Sequence, residues 1–357
     1  MDYNSEFKIG NKMIGINHPT YFIADIASNH DGDLERAKQL IWLCKEAGAD
    51  AVKFQHFKAE KIVSDYGFKN LNQSSHQANW EKSVFDVFKD YEFNRNWNEV
   101  LKEEAKKANI EFFTTPYDVE AVEEIDSLVQ AYKIGSGDIS WIEFIEYVAN
   151  KKKPLLIASG ASDFYDVERV MEKLMPINKN LVLMQCNTNY TGSLENFKYI
   201  NLNVLKTYAT MYPNLILGLS DHTPGHATVL GAITLGARVV EKHFTDDNNR
   251  IGPDHPFSMN PTSWREMVDR SRELEYALGN GVKKVEDNEI ETAVVQRRGI
   301  YLTVDKNIGH KITEGDFECL RPAPKGIYLP YEVNEILGKV LTKKKNRNEP
   351  LNKGDLI

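Results

Sequence analysis

The sequence predicts a closed (β/α)8 TIM barrel followed by a small β-rich module, and three observations carry that prediction. Short, uniformly apolar segments recur eight times along residues 21–280, separated mostly by stretches with helical apolar spacing; strands buried on both faces of a parallel barrel read this way. Ionisable and small polar residues gather at the carboxyl ends of those segments, where barrels build their sites. Beyond Gly279-Asn280-Gly281 the composition turns to a charged linker and then to short extended runs separated by turns.

Residues 1–20 read as a β-hairpin, because Phe7 to Gly15 alternate around Gly10-Asn11, a pair suited to a tight turn. This hairpin is expected to close one end of the barrel. The first barrel strand is Tyr21 to Ala27, and Asp33 to Ala47 has helical spacing that Gly48 stops. After the second strand, Ala51 to Phe54, comes a polar, aromatic and lysine-rich excursion of roughly forty residues. A connection that long is more often a functional lid than a linker. Its aromatics, Tyr66 to Tyr91, either line a substrate mouth or pack the loop.

The helix Trp97 to Ala108 restores the rhythm. Strands follow at Ile110–Phe113, Ala131–Ile134, Pro154–Ala158, Leu181–Gln185, Leu215–Leu219 and Ala237–Glu241, and the last barrel helix is Pro261–Leu278. Residues 281–294 read as linker and 295–357 as the β-rich module. Strands are expected there at Leu302–Val304, Arg321–Ala323 and Leu337–Val340, with a turn at Asn352–Gly354. Its size lies near the lower limit for independent folding.

A net charge of −8 argues against nucleic acid or an anionic membrane as the main partner, so an anionic substrate would need local cationic pockets. Three widely spaced cysteines, Cys44, Cys186 and Cys319, fit a reducing cytoplasm rather than a disulfide framework. With no export signal and no bilayer-length apolar run, a cytoplasmic protein is expected.

The strand ends supply the candidate site. Asp25 ends the first strand, Lys53 and Gln55 the second, Thr115 the third, and Lys133 through Asp138 the fourth. Ser159-Gly160 follows the fifth, and Thr188 and Tyr190 follow the sixth. The seventh and eighth finish in Ser220-Asp221-His222 and Lys242-His243, setting two imidazoles side by side to hold a metal, carry protons or pack. Lysines buried at strand ends are costly unless paired. Lys53 and Lys133 therefore imply a bound anion, or internal carboxylate partners such as Asp25 or Asp138. Gly135-Ser136-Gly137 and Ser159-Gly160 offer amides and hydroxyls suited to phosphate oxygens, which favours a phosphate-bearing substrate.

These motifs resemble those of a known family. Asn29-His30-Asp31-Gly32, Ala131 to Gly137, Gly218 to Thr223, Glu241-Lys242-His243-Phe244 and Gly252-Pro253-Asp254-His255 are similar to the motifs of the sialic acid synthases, the phosphoenolpyruvate-dependent nonulosonic acid synthases. Arg321-Pro322 and Gly354 to Ile357 resemble the family's antifreeze-like (SAF) domain. The resemblance implies condensation of phosphoenolpyruvate with an open-chain N-acylated hexosamine, either N-acetylmannosamine-like or a 2,4-diacetamido-trideoxyhexose. It also implies release of phosphate, a divalent cation (Mn2+ or Mg2+) and a domain-swapped homodimer.

Carried over by position, Lys53 and Thr115 would hold the phosphoenolpyruvate carboxylate, and Lys133, Ser136, Ser159 and Ser220 its phosphate. His222 and His243 would be metal ligands and, with Asp25, the catalytic group. Thr188 joins the substrate-binding set; Gln55, Tyr190 and Asp254 would face the sugar, and Arg321 of the partner subunit would reach its acyl group.

Asp25 stands where the family commonly has glutamate, Thr191 where it has proline, and Pro322-Ala323-Pro324-Lys325 where it has a glycine-rich turn. All three lie on the sugar side, implying a standard phosphoenolpyruvate half and a divergent sugar half. Two other readings of the residues are a metal-dependent barrel hydrolase or aldolase using His222 and His243, and a non-catalytic carbohydrate-binding protein.

Overall fold

Tight turning at Gly10, which takes φ +57°, folds β1 (Glu6–Ile9) onto β2 (Lys12–Gly15) with Phe7 opposite Ile14. The computed structural model describes residues 3–71, 77 and 80–357. Eight strands follow in sequence: β3 (Tyr21–Asp25), β4 (Ala51–His56), β5 (Glu111–Pro116), β6 (Tyr132–Ile134), β7 (Leu155–Ala158), β8 (Leu181–Cys186), β9 (Ile216–Asp221) and β10 (Ala237–His243). They pair in parallel and in order, and β10 closes the barrel on β3.

The hairpin sits at the amino ends of these strands. Lys12 pairs with Asp50 just before β4, Arg238 Nε donates to Ile16 O at 3.1 Å, and Asn4 N donates to Lys179 O at 2.9 Å. The carboxyl ends are thereby left as the open face.

Burial explains the strands. Every residue of β3, β7, β8 and β9 is buried, as expected when one face packs in the barrel and the other against helices. Helix Leu34–Glu46 starts where Asp33 accepts hydrogen bonds from Glu35 N and Arg36 N, and Pro261–Leu278 starts where Asn260 and Ser263 cap each other. β4, β9 and β10 run two residues beyond the predicted ends, β8 one and β5 three. β3 stops at Asp25 rather than Ala27, because Ala27 takes φ +47°, which an extended ladder cannot accommodate. Among its described residues the excursion after β4 forms helices Ala59–Ile62, Asp65–Lys69 and Val84–Asp90.

The chain divides into two compact units, residues 1–279 and 280–357. In the second, helix Ile290–Gln296 begins within the stretch expected as linker, and β11 (Gly299–Leu302) pairs antiparallel with β12 (Phe317–Leu320) over a core of Ile300, Leu302, Ile312, Ile336, Leu341 and Leu351. The strand expected at Leu302–Val304 is thus shifted to Gly299–Leu302. Arg321–Ala323 is not a strand: Pro322 has no N–H to extend the ladder beyond Leu320. Leu337–Val340 is not one either, keeping a single bridge between Val340 and Lys311. Among the described residues no helix is long and apolar enough to cross a membrane.

Candidate active site

A cavity of about 380 Å3 opens at the carboxyl end of the barrel, opposite the hairpin. It gathers Asp25, Lys53, Gln55, Thr115, Lys133, Ser136, Thr188, Tyr190, Ser220, His222, His243 and Asp254. Two predicted residues are not on its wall. Ser159 is buried behind it, with its hydroxyl donating to Met184 O at 3.1 Å. Arg321 belongs to the second unit, where its Nε donates to Gln296 O at 2.6 Å.

Two lysines form the floor, each 2% exposed. Lys53 Nζ lies 2.7 Å from Asp25 Oδ2, 2.9 Å from Thr115 Oγ1 and 3.8 Å from Glu241 Oε1. Lys133 Nζ lies 2.8 Å from Glu241 Oε1 and 3.4 Å from Ser220 Oγ. The lysines therefore have internal partners, and that of Lys133 is Glu241 rather than Asp138. Burial works against charge on both Lys53 and Asp25. Asp25 and Glu241 nevertheless hold the ammonium above its ordinary pKa, and Lys53 and His243 hold the carboxyl below its own.

Glu241 Oε2 is buried without a hydrogen-bond partner, so this carboxylate is only half satisfied. Asp138 also lines the cavity, and burial pushes its carboxyl up to about 6.

Above the floor the rings of His222 and His243 stand 5.3 Å apart. His222 Nδ1 lies 2.9 Å from Asn187 O, so it carries the proton and leaves Nε2 as a lone pair. Burial, then the neighbouring His243, push the His222 imidazole down to about 3. His243 Nδ1 is buried without a hydrogen-bond partner, 3.9 Å from Asp254 Oδ2, and its Nε2 lies 3.8 Å from Asp25 Oδ2.

A neutral imidazole fixed by a backbone carbonyl, beside a second with an unsatisfied nitrogen, suits two ligands of a divalent cation. Among the described residues no group of three or more His, Cys, Asp or Glu converges to complete a metal cage. A cation held here would take its other donors from substrate or water.

Local packing fixes these positions. Asn29 Nδ2 donates to Phe244 O and Ser258 Oγ, both at 2.9 Å, and Arg36 clamps Asp246 with two bonds of 2.8 and 2.6 Å. The loops after β3 and β10 are thereby tied together. Asp254 Oδ2 in turn accepts from Ser28 N at 3.1 Å. Gly160, at φ +50°, lies so close to Ser136 that an added Cβ would come within 2.3 Å of the serine Cβ. Thr188 Oγ1 donates to Ser136 Oγ at 3.0 Å, and Gln55 Nε2 to Asp25 Oδ2 at 2.8 Å.

Asp221 and Lys242 pair with each other and do not line the cavity, since alternate strand residues face opposite sides. Reading the strand ends missed Glu241, Tyr117 and Phe57, all on the wall. Glu241 was detectable, because it is two residues before His243 and so shares its face.

Comparison with known proteins decides what this arrangement belongs to. The NeuB family profile matches residues 40–283, and the SAF domain profile matches residues 297–357. The chain belongs to the NeuB family. It is 36% identical over 342 residues to the N,N'-diacetyllegionaminic acid synthase of Legionella pneumophila, covering 93% of each chain. To the human N-acetylneuraminate-9-phosphate synthase it is 31% identical over 329 residues, covering 92% of this chain and 90% of the relative.

The N-acetylneuraminic acid synthetase of Leptospira borgpetersenii, solved with citrate, superimposes with a TM-score of 0.71 at 27% identity, over 82% of this chain and 96% of that one. These NeuB relatives are synthases of nonulosonic acids that differ in the sugar they build, as their names state.

Proposed function

We propose that this NeuB enzyme condenses phosphoenolpyruvate with an open-chain N-acylated hexosamine, giving a nonulosonic acid and phosphate. The observation that carries this is the cavity floor. Lys53 and Lys133, with Thr115, Ser136 and Ser220, line one small space together with the His222–His243 pair, a set suited to an anion beside a cation.

In this reading Lys53 and Thr115 hold the carboxylate of phosphoenolpyruvate, and Lys133, Ser136 and Ser220 hold its phosphate. Ser159 drops out of that set because it does not line the cavity and its hydroxyl faces Met184 O at 3.1 Å and Gln185 Oε1 at 3.3 Å. Asp25, held ionised by Lys53 and His243, and Gln55, bonded to it, orient the acceptor. Tyr190, whose ring lies 4.3 Å from that of His222, Thr188 and Asp254 complete the wall around it. His222 and His243 would hold a divalent cation, manganese or magnesium, which would supply a Lewis acid for the acceptor carbonyl.

The bonds balance as follows. C3 of phosphoenolpyruvate attacks the aldehyde carbon, whose oxygen takes a proton, and the oxygen of a water, losing a proton, adds at C2. The bond from C2 to the bridging oxygen then breaks, its electron pair leaving with the phosphate that Lys133 stabilises, while the new C2 hydroxyl gives its proton to the departing phosphate and becomes the ketone. Arg321 of the partner subunit, in a domain-swapped homodimer, is assigned to the acyl group on the family resemblance. The hydrolase or aldolase reading has less support, since no third protein ligand joins the histidines among the described residues.

The test is phosphate release from phosphoenolpyruvate with manganese and a panel of N-acylated hexosamines. Release that depends on one of the sugars is expected, and no sugar-dependent release with any of them would overturn the assignment.

A further inference from the structure

The sugar-facing side of the cavity differs in chemistry from its floor. Segment 57–91 contributes Phe57, Ile62, Val87 and Phe88 to the wall, together with Gln77, Trp80 and Tyr91. Phe57 follows directly on β4; its ring lies 5.4 Å from Phe88 and 6.1 Å, edge-on, from Tyr117. These rings brace one another into an apolar surface rather than a loose loop.

Among the described residues cationic charge is kept away from this wall. The segment carries Lys58, Lys61, Lys69, Lys82 and Lys89, and none of them lines the cavity. Lys58 is turned to Glu120 (3.3 Å), Lys82 to Asp90 (2.6 Å) and Lys89 to Glu92 (3.0 Å). Among the described residues the only cationic side chains on the cavity are Lys53 and Lys133, both on the floor and both holding carboxylates.

The order of strands fixes which end of an acceptor meets this wall. His243 ends β10, Asp25 ends the neighbouring β3, Gln55 lies on β4, and Phe57 follows β4. Two strand spacings cover about 10 Å. An extended hexose spans roughly 6–7 Å from C1 to C6, being five carbon–carbon bonds of about 1.5 Å, and side chains reach inward from both sides. With the aldehyde at the histidines and the middle of the chain at Asp25 and Gln55, C6 arrives at Phe57 and Phe88.

We propose that Phe57, Ile62, Val87 and Phe88 are the specificity-determining surface for the far end of the acceptor, selecting an uncharged, deoxygenated C6 over a hydroxymethyl or phosphorylated one. This rests on the reading above of the acceptor as an open-chain N-acylated hexosamine. An apolar wall gains from a methyl group, discriminates weakly against a hydroxyl and strongly against a charge that it cannot pair.

The experiment is calorimetric binding of three open-chain alditols to the full chain with manganese and phosphoenolpyruvate: N-acetylmannosaminitol, its 6-deoxy analogue and its 6-phosphate. The expected order is 6-deoxy tightest, 6-hydroxy about tenfold weaker, and 6-phosphate weaker by about a hundredfold or more. Val87→Lys, which places a cation in the wall, should tighten the 6-phosphate at least about tenfold, with retained phosphoenolpyruvate binding showing that the variant is folded.

The inference is overturned if the 6-phosphate binds the native protein as tightly as the 6-deoxy alditol. It is also overturned if Val87→Lys binds phosphoenolpyruvate normally but does not shift the order. Because alditols bind without reacting, this result is independent of turnover. Failure of the condensation itself would instead appear as no phosphate release from any of the three corresponding aldehydes.

Discussion

Replacing Glu241 by glutamine separates the two roles the floor must play, holding itself together when empty and holding an anion when loaded. Glu241 Oε1 lies 2.8 Å from Lys133 Nζ, with both side chains almost fully buried. At an effective dielectric of about 20 that pair is worth roughly 6 kcal/mol before desolvation is counted. Removing one partner of a buried pair costs about 3–5 kcal/mol, and the amide oxygen of glutamine still accepts from Lys133, which favours the lower end. For a domain of this size about 3 kcal/mol corresponds to a fall in Tm on the order of 10 °C.

Phosphoenolpyruvate should reverse that loss, since its phosphate takes the place of the missing carboxylate beside Lys133. Thermal denaturation with and without saturating phosphoenolpyruvate is the assay. The rise in Tm should be larger in Glu241→Gln than in the native protein, with a Kd at least about tenfold tighter. If phosphoenolpyruvate protects the variant no more than the native protein, Lys133 does not hold the phosphate and the assignment of the floor is refuted.

Three further outcomes follow from the same geometry. Asp138, raised by burial from 3.8 to about 6, binds its proton more tightly folded than unfolded, so its contribution is present below pH 4 and is lost as pH rises to 6. Asp138→Asn should therefore match the native protein near pH 4 and be more stable above pH 6, by up to about 3 kcal/mol; a difference that does not vary with pH in denaturant titrations would contradict this. His243→Ala should lose the stabilisation that manganese gives while keeping that given by phosphoenolpyruvate, and losing both in thermal denaturation would argue against separate subsites. Ser159→Ala should leave phosphoenolpyruvate affinity within about twofold while Ser136→Ala weakens it at least about tenfold; calorimetry giving the reverse order would restore Ser159 to the phosphate site.

The barrel was legible because its strands are short, apolar on both faces and polar only at their ends, a pattern with few other solutions. The cavity was legible for the same reason: strand ends in a parallel barrel must converge. Position at a strand end does not by itself say which way a side chain turns. Ser159 sits at a strand end like Ser136, but its hydroxyl finds Met184 O across β8. Asp221 and Lys242 sit beside the histidines in sequence and point away from them, while Glu241, read only as part of a motif, points in. Strict alternation along β9 and β10 would have sorted all three.

The apolar wall was harder to see. The excursion after β4 has no strand periodicity, and the meeting of Phe57 with Phe88 brings residues thirty-one positions apart into ring contact across a segment of short helices. In the second unit the first expected strand lies at Gly299–Leu302, Pro322 keeps Arg321–Ala323 out of the ladder, and a single bridge stands where Leu337–Val340 was expected.

The central claim is that phosphate leaves phosphoenolpyruvate by carbon–oxygen cleavage once a sugar is joined to C3. Phosphoenolpyruvate labelled with 18O in the bridging position, turned over with manganese and an accepted N-acylated hexosamine, tests this directly through the isotope shift in the 31P spectrum of the released phosphate. The account predicts that the phosphate carries the label. Unlabelled phosphate would show phosphorus–oxygen cleavage and contradict the chemistry assigned to this floor of lysines and this pair of histidines.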